Sequence, residues 1–228
     1  MESQFSRNEI IIGSEKQKNL FTKTVAIFGI GGVGSFVCES LVRAGIGSII
    51  LIDNDTISIS NLNRQIHALH STIGMKKIDA MKNRLLDINP NLNIITYDLF
   101  IQNNNSKEIL SNHKIDYIVD AIDTVQSKLE IIKFATELNI PIISSMGTGN
   151  KLNPSLLEIT DINKTSVCPL AKKIRKELKT IGIKKLNVVY SKEIPHKNID
   201  TSTIGSISFV PSSAGLLITS KIVHDFLV

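Results

Sequence analysis

Short apolar segments rich in β-branched residues alternate with amphipathic segments between residues 25 and 145. The apolar segments predict strands at Val25–Phe28, Ile49–Ile52, Asn93–Tyr97, Tyr117–Ala121 and Ile140–Ser144. The amphipathic segments predict helices at Gly34–Ala44, Lys76–Ile88 and Ser127–Leu138. Buried strands that alternate with helices are typical of an α/β fold, in which helices cover both faces of a mainly parallel central sheet.

The pattern changes after Ser145, where glycine and polar residues become frequent. The segments predicted there are turns at 146–154, a strand at Leu156–Ile162, a basic helix at Cys168–Thr180, a mobile loop at 191–203, a strand at 206–210 and an apolar helix from about Ala214 to Leu227. We therefore predict a core domain over residues 1–150 and a smaller C-terminal extension over residues 151–228, whose last helix packs back on the core.

The composition is that of a soluble globular protein, since 42% of the 228 residues are hydrophobic and 21% are charged. No apolar run reaches the roughly 20 residues that cross a bilayer, and residues 1–13 lack the apolar stretch of a signal peptide. We therefore expect a cytoplasmic protein without a membrane segment. Cys38 and Cys168 are far apart and no Cys-x-x-Cys occurs, which argues against a disulfide framework and a four-thiolate zinc site.

The net charge of +5 is unevenly distributed along the chain. Residues 164–197 contain ten Lys or Arg residues and two acidic residues, so this segment has a net charge of +8 and the rest of the chain about −3. Such an asymmetry indicates either a polyanionic partner or a solvated, lysine-rich helix face.

The first predicted strand runs directly into a glycine-rich loop and then into a helix. In this loop Gly29 permits a tight turn, and Gly31 and Gly32 leave the backbone open to a phosphate. Gly34 allows the helix to pack close to the strand, and the helix N-terminus offers free N–H groups to an anion. Asp53 ends the second strand, where a carboxylate binds a ribose hydroxyl in Rossmann-like domains. These glycines fit both NAD and ATP.

Three charged residues downstream favour ATP over NAD. Arg64 and Lys77 follow the ribose carboxylate and are suited to a triphosphate, whereas a hydride-transfer site needs a mostly apolar nicotinamide pocket. Asp123 follows the fourth strand, where a carboxylate together with phosphates can hold Mg²⁺. Taken singly, each has an ordinary alternative, namely surface charge for the two cations and a helix N-cap for Asp123.

Several motifs together resemble the ThiF/MoeB superfamily of adenylating enzymes, which are related to ubiquitin-activating enzyme. They are the glycine loop, Ile-Asp-x-Asp at 52–55, Ser-Asn-Leu-Asn-Arg-Gln-Ile-His at 60–67, Lys77, Ile-Asn-Pro at 88–90 and Asp-Ala-Ile-Asp at 120–123. The motifs at 63–69, 144–151, 164–171 and 205–211 are similar to those of the tRNA threonylcarbamoyladenosine dehydratase branch. The likeness extends from about Arg7 to the C-terminus.

The resemblance implies an ATP-dependent cyclisation of the threonylcarbamoyl group on the adenosine immediately 3′ of a tRNA anticodon. The carboxylate would attack the α-phosphate and release pyrophosphate, and a nitrogen or oxygen of the same modification would then expel AMP, with net loss of water. The activated acid must be shielded from water, so we expect 146–154 and 191–203 to act as lids. The resemblance also implies a homodimer and leaves open whether a sulfur-transfer protein takes part.

The resemblance also implies which residues form the site, when the functional positions of the family are matched to this sequence one by one. ATP would be bound by Gly29, Gly31, Gly32, Gly34, Asp53, Asp55, Asn61, Arg64, Gln65 and Lys77. The catalytic residues would be Arg64, Lys77, Asp123, which holds Mg²⁺, and Arg7, which reaches into the partner's site. We assign tRNA binding to Lys172, Lys173, Arg175, Lys176 and Lys179. Residues 1–150 would thus form an ATP-binding adenylation domain and residues 151–228 a basic substrate-binding extension.

Three other functions fit parts of the sequence. One is an adenylyltransferase that activates the C-terminus of a small ubiquitin-like sulfur carrier, although such enzymes often hold zinc through two Cys-x-x-Cys pairs. The others are a Rossmann scaffold without activity, which binds a nucleotide or only partners, and an NAD dehydrogenase. We interpret Cys38 as a buried structural thiol, whereas Cys168, near the start of the basic helix, is either structural or a reactive thiol.

Overall fold

Seven strands form a single sheet in the computed structural model, which describes residues 3–196 and 203–228. The strands are β1 (Thr24–Phe28), β2 (Ser48–Ile52), β3 (Asn93–Tyr97), β4 (Tyr117–Asp120), β5 (Ile142–Ser145), β6 (Leu157–Asp161) and β7 (Asn187–Ser191). The helices are α1 (Ser6–Ile12), α2 (Ser14–Phe21), α3 (Gly34–Ala44), α4 (Lys77–Ile88), α5 (Asn105–Asn112), α6 (Val125–Glu137), α7 (Pro169–Thr180) and α8 (Phe209–Leu227). Within these residues no helix is both long and apolar enough to cross a membrane.

The strand order is β3-β2-β1-β4-β5-β7-β6, and every neighbouring pair is parallel except the antiparallel pair β6 and β7. This confirms the predicted α/β fold with a mainly parallel sheet. From β1 the chain first adds strands on one side and then, from β4 onwards, on the other. A ligand crevice is expected where the order reverses, outside the carboxyl ends of β1 and β4.

Alternate residues of β1 pack into different apolar clusters on the two faces of the sheet. Val25 and Ile27 lie in the cluster that includes α3 and α8, while Ala26 and Phe28 lie in the cluster that includes α5 and α6. All four are fully buried, which explains why the strand reads as a continuous apolar run. The last helix packs on α3 so closely that a Cβ on Gly215 would lie 2.6 Å from the Val33 carbonyl oxygen.

The strands predicted between residues 25 and 145 are confirmed to within two residues, and α3 has the predicted bounds. The structure adds elements that were not predicted, namely α1, α2, α5 and β7. The segment after residue 150 contributes β6 and β7 to the same sheet as the core.

The predicted strand at 206–210 is wrong. Residues 204–207 have no regular secondary structure, and α8 already begins at Phe209. Pro211 therefore lies in the first turn of the helix, where the N–H that proline lacks would have no partner within the helix. Part of the loop predicted to be mobile at 191–203 lies outside the described residues.

Candidate active site

The carboxyl ends of β2, β1, β4 and β5 open into a cavity of about 870 Å³. Its lining includes residues 99–101 after β3, Asp53 after β2 and the glycine loop after β1. It then passes Asp123 after β4 and ends at residues 145–151 after β5. The volume is in the range of sites that bind small molecules, and the position is the expected crevice at the switch in strand order.

Close packing explains two of the glycines in the loop. Gly29 has a φ of +87°, and a Cβ there would lie 2.7 Å from the carbonyl oxygen of Ala121. A Cβ on Gly34 would lie 1.9 Å from the carbonyl oxygen of Gly29, so the helix can start at this position only without a side chain. Gly31 differs, because among the described residues no atom beyond its chain neighbours lies within 4 Å of the place of its Cβ. The backbone at Gly31 is thus open to a ligand in the cavity.

Asp53 ties the glycine loop to the end of β2. Its carboxylate accepts hydrogen bonds from the backbone N–H groups of Ile30, at 2.6 Å, and Asp55, at 2.8 Å. The Nζ of Lys77 lies 2.5 Å from an oxygen of Asp55 and 4.0 Å from an oxygen of Asp53. Burial raises the pKa of Asp53, and the Lys77 ammonium opposes that rise. The floor of the cavity therefore holds a buried ammonium beside two carboxylates.

Arg64 lies over the glycine loop. A Cβ on Gly32 would lie 3.3 Å from its Cγ, and its Nη1 donates hydrogen bonds of 2.9 Å to the Ser60 carbonyl oxygen and to the Asn63 Oδ1. The amide of Asn63 in turn donates to the carbonyl oxygen of Ser206, at 2.9 Å. These bonds use a single guanidinium nitrogen, so the rest of the fork can bind an anion such as phosphate.

Asn61 and Gln65 also line the cavity. Asn61 shapes the turn before Arg64, because its Oδ1 accepts a hydrogen bond of 3.0 Å from the Ser58 N–H. Gln65 is buried, and its Oε1 has no hydrogen-bond partner among the residues that the structure describes.

The two acids of the Asp-Ala-Ile-Asp motif have different surroundings. Asp120 is fully buried and accepts hydrogen bonds from the Nζ of Lys128, at 2.9 Å, and the hydroxyl of Ser144, at 2.5 Å. Asp123 is exposed and lines the cavity. In the described part of the chain no three metal-ligating side chains form a cluster. A single exposed carboxylate fits Mg²⁺, which takes one or two carboxylates and completes its shell with phosphates and water.

The far wall of the cavity contains residues that the sequence did not mark as site residues. Asn150 holds the segment around Gly205 by two hydrogen bonds, from its N–H to the Gly205 carbonyl oxygen at 2.8 Å and from the Gly205 N–H to its Oδ1 at 2.6 Å. Lys151 is buried, and its Nζ donates to the carbonyl oxygens of Glu193, at 2.7 Å, and Ser191, at 3.3 Å. The sequence predicted turns and a lid at 146–154 and a family motif at 144–151, but it did not assign Asn150 or Lys151 to the site.

The two cysteines are both buried. Cys38 lies in the core and burial raises its pKa, in agreement with a structural thiol. Cys168 lines the cavity, and its Sγ accepts a hydrogen bond from the Ala171 N–H at the start of α7.

The remaining predicted site residues lie outside the cavity lining. Arg7 is on α1. Lys172, Lys173, Lys176 and Lys179 are exposed on α7. Arg175, on the same helix, is half-buried and donates to the carbonyl oxygens of Ile162 and Thr165, so it also holds the preceding turn against α7.

Comparison with known proteins gives concordant results. The ThiF family model matches residues 5–224. The chain is 42% identical to a tRNA threonylcarbamoyladenosine dehydratase of Bacillus subtilis strain 168, over 98% of this chain and 94% of that protein. Crystal structures of Escherichia coli tRNA N6-threonylcarbamoyladenosine dehydratase, TcdA, with AMP and with ATP are similar, with a TM-score of 0.93, 31% identity and coverage of 98% of this chain and 94% and 93% of those chains.

A more distant match is the adenylyltransferase and sulfurtransferase UBA4 of Vanderwaltozyma polyspora. It is 34% identical over 64% of this chain and only 33% of that protein. The similarity to the B. subtilis and E. coli dehydratases thus extends over more of both chains than the similarity to UBA4.

Proposed function

Since this chain belongs to the ThiF family, we propose that it is a tRNA threonylcarbamoyladenosine dehydratase that consumes ATP. The dehydratases of B. subtilis and E. coli match nearly its whole length, and TcdA is similar in structure when ATP is bound. The observation that carries the proposal is that the glycine loop, Arg64, Lys77 and Asp123 all line one cavity at the switch in strand order. A nucleotide scaffold without activity has no use for that set of charges.

The proposed chemistry requires two anions to meet. A carboxylate oxygen of the substrate attacks the α-phosphorus of ATP, and the bond between this phosphorus and the pyrophosphate oxygen breaks. Arg64 and Lys77 offset the repulsion by neutralising phosphate charge, while Asp53 binds the ribose. Asp123 would hold Mg²⁺, which supplies further positive charge to the phosphates. A nitrogen or oxygen of the modification then attacks the acyl carbon, loses its proton and releases AMP.

The direct test is mass spectrometry of tRNA nucleosides after incubation with the protein and ATP, with a mild work-up because the ring can hydrolyse. We expect threonylcarbamoyladenosine to lose the mass of one water molecule. Arg64→Ala should lower the rate about 100-fold or more, as expected when a group that stabilises phosphate charge is removed. Arg43→Ala, an exposed arginine on α3, is the matched control. AMP transfer to a sulfur-carrier protein, without any change in tRNA, would instead support the UBA4-like alternative.

The exposed lysines of α7 are proposed to bind the tRNA backbone. Each phosphate contact lowers the slope of log affinity against log salt by about 0.9. Replacing Lys172, Lys173 and Lys176 by Glu should therefore weaken tRNA binding and flatten the slope by between about 1 and 3. Lys107→Glu, on α5 and outside the cavity lining, shows the effect of a single charge reversal elsewhere on the surface. An unchanged slope in the triple variant would remove α7 from the interface.

We also propose a cytoplasmic homodimer in which Arg7 completes the partner's site. In support, Ile10 and Ile11 on the same helix are 76% and 85% exposed, as expected of a surface that a second copy covers. Mixing Arg7→Ala with Lys77→Ala creates one intact site in each mixed dimer, so about a quarter of wild-type activity should return. No recovery on mixing, in a protein that is dimeric by sedimentation, would show that Arg7 does not act across the interface.

A further inference from the structure

Three lysines are buried among the described residues, and they differ in how their charge is matched. Lys128 is paired with Asp120 at 2.9 Å, and Lys77 with Asp55 at 2.5 Å. Lys151, which is 3% exposed, has no carboxylate within 4 Å in the described part of the chain and donates only to two backbone carbonyl oxygens. A buried ammonium is costly unless an anion accompanies it. The unmatched charge of Lys151 therefore points to an anionic ligand.

Lys151 lines the same cavity as Asp53, but it follows β5 and not β2. The cavity lining crosses the sheet edge from Asp53 after β2, through β1 and β4, to Lys151 after β5. Neighbouring strands are about 4.8 Å apart, so the ends of β2 and β5, which are three strand spacings apart, are separated by roughly 14 Å. If ATP has its ribose at Asp53 and its phosphates at the glycine loop, the β5 end is left for the second substrate.

The surroundings of Lys151 keep its ammonium in place without neutralising it. The ammonium has three hydrogens, and the carbonyl oxygens of Ser191 and Glu193 accept two of them. The carboxylate of Glu193 is turned elsewhere and accepts from the backbone N–H groups of Leu152 and Asn153. Burial lowers the pKa of Lys151, and Cys168 and the Glu193 carboxylate only partly oppose that shift. One N–H of the Lys151 ammonium therefore remains to donate a hydrogen bond to a group in the cavity.

We propose that Lys151 binds the carboxylate of the threonylcarbamoyl group and orients it towards the α-phosphate. This inference rests on the proposed function, and it adds the residue by which the modified adenosine is distinguished from an unmodified one. The nucleotide is bound by the glycine loop, Arg64 and Lys77. A second anionic substrate therefore requires a separate cation, at the β5 end.

The test compares the binding of two tRNAs, in the absence of ATP, that differ only in whether the adenosine carries threonylcarbamoyl. We expect the wild-type protein to prefer the modified tRNA and Lys151→Gln to reduce that preference about 10- to 100-fold, the range for a hydrogen bond to a charged group. The Gln amide can still donate to backbone carbonyls, so affinities for ATP and for unmodified tRNA should not change. Lys151→Arg, which keeps the charge, should retain most of the preference, and Lys107→Gln all of it.

Several results would overturn the proposal. If Lys151→Gln keeps the preference, lowers the affinity for both tRNAs equally, or lowers the affinity for ATP, the lysine does not recognise the carboxylate. A wild-type protein that dehydrates the modified tRNA but binds both tRNAs equally overturns this inference alone. A wild-type protein that neither dehydrates nor discriminates overturns the proposed function as well.

A second measurement covers the case in which Lys151→Gln does not fold. The ¹⁵N resonance of the Lys151 Nζ in the wild-type protein can be assigned by its absence from Lys151→Arg. It should shift on addition of the threonylcarbamoyladenosine nucleoside and not on addition of adenosine. The absence of a shift at saturating nucleoside would contradict the proposal.

Discussion

His67 should make the stability of this protein depend on pH in a predictable way. Its side chain is 2% exposed, and within the described residues neither ring nitrogen has a hydrogen-bond partner. Burial, together with the positive charges of Lys77 and Arg84, lowers the pKa of His67 from 6.5 to about 4. The unfolded chain therefore binds a proton more readily than the folded protein between these values. The stability contributed by neutral His67 is fully present above pH 6.5 and is lost as the pH falls towards 4.

The magnitude follows from the two pKa values. A difference of one in pKa corresponds to about 1.4 kcal/mol, so the total effect is about 3 kcal/mol, of which about 2 kcal/mol is already lost at pH 5. Urea unfolding of the wild type and of His67→Leu, at about pH 7.5 and about pH 5, isolates this contribution because the other titrating groups are shared. The free-energy difference between the two proteins should change by about 2 kcal/mol in favour of the variant. Parallel pH dependence of the two proteins would refute the reasoning.

Two further predictions concern the buried ion pair and the glycine loop. Lys128→Met leaves the fully buried Asp120 carboxylate without its cation, and should cost about 3–5 kcal/mol in urea unfolding; a loss below about 1 kcal/mol would contradict a tightly paired charge. Gly34→Ala places a methyl 1.9 Å from the Gly29 carbonyl oxygen, so it should displace the loop, lower the melting temperature and abolish ATP binding in calorimetry. The methyl of Gly31→Ala meets open space, so this variant should have the melting temperature of the wild type. It should bind ATP at least about tenfold more weakly, because the methyl hinders the approach of the phosphates. Normal ATP binding by this variant would show that the phosphates lie elsewhere.

The sequence by itself was sufficient for the features that depend on neighbouring residues. The bounds of α3 follow from the glycine at its start and the left-handed Gly45 that ends it, and both are local constraints on the backbone. The alternation of buried strands and amphipathic helices likewise identified the α/β fold, since one face of each helix and both faces of each central strand must be apolar. The glycine loop and the motifs at 52–55 and 120–123 lie at the ends of strands that were predicted in this way.

The features that only the tertiary structure decided depend on contacts between distant residues. The strand β7 was missed because its place between β5 and β6 is set by pairing across the sheet, not by its short apolar run. The alternation at 206–210 predicted a strand, but Asn63 binds Ser206 across 143 residues and Asn150 binds the preceding Gly205 across 55 residues.

The same holds for the charges of the site. In the sequence, Lys77, Lys128 and Lys151 are three residues of one type. The residues next to each lysine do not indicate that its side chain is buried. Folding places a carboxylate beside Lys77 and beside Lys128, whereas Lys151 donates to backbone carbonyl oxygens 40 and 42 residues away. Because the cost of a buried charge depends on the partner that the fold supplies, the function of each lysine is decided by tertiary contacts.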